Sequence, residues 1–141
     1  MSELDYFKKN PRLYNAITEV EKRITSADWD VAVQKMRTAA QILVGEFYYL
    51  YSADNIKPDS LYEQLNALKE ADLIMPESAE ALQEIRFKGN KVSHENVTLY
   101  SSEVIKLYES LITEMILFVD KYSKAPDPNG FIKLKNTVRN R

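Results

Sequence analysis

Ile85-Arg86-Phe87-Lys88-Gly89-Asn90-Lys91-Val92-Ser93-His94 carries the chain's one histidine, one of its three glycines and three cations. On a helix, Arg86, Asn90 and His94 are spaced four apart and share one stripe. A guanidinium, an amide and an imidazole facing one way suit an oxyanion. The first neutralises charge, the second orients, and histidine exchanges a proton near neutral pH. Lys88 and Lys91, with Arg37 from a separate apolar segment, are further candidates for nucleic-acid contacts. A structural alternative uses the same residues. Lys88 would end a helix, Gly89 would take the left-handed position after it, and His94 would cap or hydrogen-bond within the next connection.

The elements that must position these groups are helical. Asn10-Pro11 reads as an N-cap with proline at the first helical position, and Leu13, Ala16, Ile17, Val20 and Ile24 follow at helical spacing until Thr25-Ser26. Asp28 or Ser26 can cap a longer central helix striped by Val33, Met36, Ala40, Leu43, Phe47 and Leu50. Its Phe47-Tyr48-Tyr49-Leu50-Tyr51 cluster reads as core with hydroxyl tips at the surface. Pro58-Asp59-Ser60 restarts a helix of about four turns, striped by Leu61, Leu65, Leu68 and Leu73. After Met75-Pro76, a helix rich in glutamate at its start runs into the Arg86 to His94 stretch. Another begins near Ser101-Ser102-Glu103, with serine as cap, and its broad apolar face is expected to serve core on one side and a partner on the other. Phe131 to Lys135 is a short alternating run in a tail with four cations and no acid after Gly130, expected to be solvated and partly disordered. The expected fold is an all-α, up-and-down bundle of four to five principal helices. Residues 1–26 form an N-terminal helical extension, 27–123 the bundle, and 124–141 a basic C-terminal tail.

At 141 residues the chain suits one domain, and 45% hydrophobic with 28% charged residues is ordinary for a globular protein. Without cysteine and with one histidine, disulfides, thiolate metal sites and multi-histidine zinc sites are excluded within the chain. No metal or cofactor is expected. A net charge of −2 argues against a wholly basic nucleic-acid coat but leaves room for a local basic patch. The amino terminus lacks a signal-like apolar run and no stretch is long enough to span a bilayer, so a cytoplasmic protein without membrane contact is expected.

Asp28 and Trp29, Arg37 in a long apolar helix, a leucine-striped helix, the Arg86 to His94 motif and a further long helix together resemble the HEPN superfamily of helical domains. The similarity is to its branch catalogued as domain of unknown function 4145, over roughly residues 27–120. The resemblance implies a HEPN-like bundle, a homodimer, and a phage-defence, restriction or mobile-element setting. Active members are metal-independent RNA endonucleases in which two protomers pool their motifs. Carried over, His94 would be the general acid or base, Arg86 would stabilise the scissile phosphate, and Asn90 would orient either. Here seven residues separate Arg86 from His94, where active members have four to six, and Gly89 stands beside Asn90 where they often have arginine. The first reading is therefore a non-catalytic interaction domain binding a protein partner or RNA. The alternative is an endoribonuclease using Arg86 and His94 across a dimer cleft. A third is a phage-encoded inhibitor of a host enzyme, its acidic run from Glu63 to Glu84 imitating nucleic acid.

Overall fold

In the computed structural model, which describes residues 3–140, a 3₁₀ turn (Glu3–Phe7) leads into six α-helices. They are α1 (Pro11–Thr25), α2 (Trp29–Leu50), α3 (Leu61–Glu70), α4 (Pro76–His94), α5 (Ser101–Leu117) and α6 (Gly130–Arg139). A second 3₁₀ turn (Asp54–Ile56) precedes α3, and a π-helical turn (Phe118–Tyr122) continues α5. Met1 and Ser2 of the expected N-terminal helical extension and Arg141 of the basic tail lie outside the described residues. Among the described residues there is no strand, and the fold is an all-α helical bundle.

Helix α2 is its centre, packed against α1, α3, α4 and α5. Val33, Met36, Leu43 and Val44 are fully buried along it, each contributing roughly 1.5–3 kcal/mol of transfer free energy. Phe47 and Tyr48 are buried, with the Tyr48 hydroxyl donating to the Gln64 carbonyl at 2.8 Å. Tyr49, on the opposite face, is 71% exposed. Asn10 caps α1 as expected, its side chain accepting from the Leu13 N–H at 3.2 Å, and Ser60 caps α3 by accepting from Glu63 N–H at 3.1 Å.

The first three helices end alike. Asp28 N–H bonds Arg23 O and Ala27 N–H bonds Ile24 O; the same pair of bonds closes α2 at Ser52 and Ala53, and α3 at Asp72 and Leu73. This double closure needs a left-handed residue. Ala27 (φ 56°), Ser52 (φ 53°) and Asp72 (φ 61°) supply it in place of glycine. The closure stops α3 at Glu70, so it is shorter than four turns and Leu73 is buried from the turn beyond it.

Three further expectations are corrected. No serine side chain caps α5; Glu103 reaches back to accept from Tyr100 N–H at 3.4 Å. Residues 101–123 leave no large hydrophobic side chain exposed, because Val104, Leu107, Leu111, Met115 and Phe118 all enter the core. The alternating run after Gly130 is helical. Phe131, Leu134 and Val138 recur at helical spacing, and Leu134 is fully buried where α6 packs on α3. Gly130 lies against the Tyr51 ring, and Lys133 pairs with Asp127 at 2.6 Å.

Candidate functional site

Helix α4 runs unbroken from Pro76 to His94, so Gly89 does not end it. Among the described residues no glycine has positive φ; the left-handed residue after α4 is Asn96, at φ 58°. Asparagine tolerates that conformation, and Glu95 N–H closes the last turn on Lys91 O at 2.9 Å. Gly89 serves packing instead. A Cβ there would sit 2.8 Å from Arg37 Cβ and 3.0 Å from Arg37 Cδ, so its absence lets α2 and α4 touch.

The unbroken helix decides the geometry of the motif. Arg86 and His94 are eight residues apart and thus about 12 Å along the axis. Nothing folds His94 back towards Arg86 within one chain. His94 is exposed at the end of α4, and Asn90 is half-buried between the two.

Arg86 is held towards α3. Its Nε donates to Gln83 Oε1 at 2.7 Å, and its guanidinium carbon lies 5.1 Å from the centre of the Tyr62 ring. Gln83 in turn donates to the Tyr62 carbonyl at 3.2 Å and to Asn66 Oδ1 at 3.4 Å. Lys91 sits 5.0 Å from the centre of the Phe87 ring, its neighbour one turn back. Lys88 turns to the other side of α4, 3.9 Å from Glu84 and 3.8 Å from Glu103 of α5. Arg37 meets α4 at the turn between Arg86 and Asn90, and its Nε is buried without a hydrogen-bond partner. The structure thus pairs Arg86 with the Tyr62 ring and Lys91 with the Phe87 ring, draws Lys88 into ion pairs, and leaves His94 a separate group at the helix end.

A family model described as a domain of unknown function, DUF4145, matches residues 18–127. The chain belongs to that family. Neither a curated protein nor a solved structure matches it. The matched span of this DUF4145 chain holds all six candidate residues and helices α2 to α5; α6 and the first 3₁₀ turn lie outside it.

Tyr62 and Phe87 are the residues the sequence did not single out. They are 48% and 45% exposed on neighbouring helices. The available signal was the four-residue spacing of Phe87 and Lys91, which stacks an aromatic under a cation on any helix; Tyr62 had none, because its partner Arg86 comes from another element. Burial shifts titratable groups elsewhere in the DUF4145 fold. Burial raises the Glu114 carboxyl, opposed by a hydrogen bond with Ser78. Burial first, then the charges of Glu21 and Glu3, pushes Tyr108 up to about 12. Among the described residues no group of three or more His, Cys, Asp or Glu could hold a metal ion, and no helix is long and apolar enough to cross a membrane.

Proposed function

We propose that this DUF4145 chain is a HEPN-like, non-catalytic interaction domain that binds single-stranded RNA across the α3–α4 face. The observation that carries this is the pair of ring–cation contacts, Tyr62 with Arg86 and Phe87 with Lys91, on rings that remain about half exposed. A ring covered by a cation on one side still has a free edge or face on which a base can stack. The cation beside it meets the neighbouring phosphate. Arg86, fixed by Gln83 and Tyr62, loses little freedom on engaging a phosphate, which favours binding. The distance between Arg86 and His94 supports a binding role over cleavage by a single chain. The HEPN resemblance supports a homodimer and a phage-defence, restriction or mobile-element setting.

The test is fluorescence anisotropy of a labelled short mixed-sequence RNA with the wild type, Phe87→Ala, Arg86→Gln and His94→Ala. A lost stacking contact costs roughly 1–3 kcal/mol, so Phe87→Ala should weaken binding about fivefold or more. Arg86→Gln should weaken it too, and His94→Ala should not. RNA left unbound would overturn this reading in favour of a protein partner. RNA cut in the presence of chelator, with loss of cutting in His94→Ala, would replace it with the endoribonuclease.

A further inference from the structure

A groove of about 640 Å³ lies away from the α3–α4 face, between the first 3₁₀ turn, the last turns of α2 and the π-helical end of α5. Its volume falls within the range of small-molecule sites. Leu50, Phe118 and Val119 contribute apolar wall, and two exposed rings, Tyr6 and Tyr49, stand among its lining residues. One wall is the π-helical turn, a rare geometry that recurs at functional sites.

The charges in the groove are unequal in how they are met. Asp5 pairs with Lys8 at 3.2 Å, and Asp120 accepts from the Tyr6 hydroxyl and lies 4.0 Å from Lys124. Glu46 is half-buried on the α2 wall, and among the described residues no ion pair or hydrogen bond reaches its carboxylate. Lys9, the other lining charge without an ion pair, is exposed and solvated. A carboxylate on a largely apolar wall calls for a cationic donor, and tyrosine faces attract the same charge.

We propose that this groove binds a small amphipathic organic cation: an ammonium group held by Glu46 and the tyrosine rings, with an aromatic or aliphatic body against Leu50, Phe118 and Val119. The proposal is independent of RNA binding. Phenethylamine, its uncharged analogue 2-phenylethanol and its acidic analogue 3-phenylpropionate are the probes, each titrated into the full chain by calorimetry and followed by ligand-detected NMR. Phenethylamine should bind saturably and at least tenfold more tightly than either analogue. Glu46→Gln should remove that preference, and Tyr49→Ala, at a position exposed enough to leave the fold intact, should weaken phenethylamine several-fold. Equal binding of the three probes, tighter binding of the acid, unchanged affinity in Glu46→Gln, or no binding of phenethylamine to the wild type would each overturn the proposal.

Discussion

Gly89→Ala sets two well-characterised effects against each other at the contact that joins α2 to α4. Within a helix, alanine is favoured over glycine by about 0.8–1.0 kcal/mol. Here the added Cβ would meet Arg37 Cβ at 2.8 Å, Cδ at 3.0 Å and Cγ at 3.4 Å. Arg37 can swing its outer carbons away, but its Cβ is fixed to the α2 backbone, so relief requires the two helices to separate. Overpacking of that kind costs roughly 1–3 kcal/mol. The net expectation is a loss of about 1 kcal/mol, a fall in Tm of roughly 2–6 °C for a domain of this size. Gly45→Ala is the internal control. It lies within α2 with nothing inside 4 Å of the new Cβ, so only the propensity gain operates and stability should rise by about 0.5–1 kcal/mol. Urea unfolding of both variants with a common m-value measures the difference directly. If Gly89→Ala were as stabilising as Gly45→Ala, the close approach of α2 and α4 at Arg37 would be refuted.

Gly130→Ala should be more damaging to its own element, since the Cβ would run into the Tyr51 ring; hydrogen exchange should show loss of protection in α6 while α2 stays protected. Ala27→Gly should stabilise the chain by about 1 kcal/mol by relieving the left-handed strain at the end of α1, read as a rise in Tm; no change would argue against the closure there. Glu114 has its folded value raised by burial, so its favourable contribution is present below the unfolded carboxyl range and is lost as pH rises through the folded value. Glu114→Gln should therefore gain stability relative to wild type on going from acid to neutral pH, and a pH-independent difference would refute this. Tyr108, raised to about 12, contributes stability that is present below the ordinary tyrosine value and lost as pH climbs towards that figure. Tyr108→Phe should flatten the alkaline limb of the urea midpoint against pH.

Much of the fold was legible in the residues. Helical spacing in α1, α2 and α4, the Asn10-Pro11 start and the Met75-Pro76 break are local signals, and local backbone preferences decided them. The ends of α1 at Thr25 and α2 at Leu50 fall where the apolar stripes stop, whereas the end of α3 was less legible, because Asp72 takes the position that glycine usually marks. The chain's glycines are instead placed by tertiary contact. Gly89 looked like a stop signal and is a packing surface, since what it avoids is Arg37, more than fifty residues away in sequence. The tail read as alternating until α3 and Tyr51 offered α6 a surface to pack on.

The sequence by itself determined an all-α chain, the run of cations and polar groups from Arg86 to His94, and the absence of cysteine chemistry. Only the tertiary structure decided how those groups are used. Continuous hydrogen bonding through Gly89 keeps His94 about two turns from Arg86. Packing of α3 on α4 then gives Arg86 the Tyr62 ring, and the meeting of α4 with α5 draws Lys88 towards Glu103. Spacing along one helix fixes which side chains share a face; which of them are free to meet a ligand depends on the helices packed beside it.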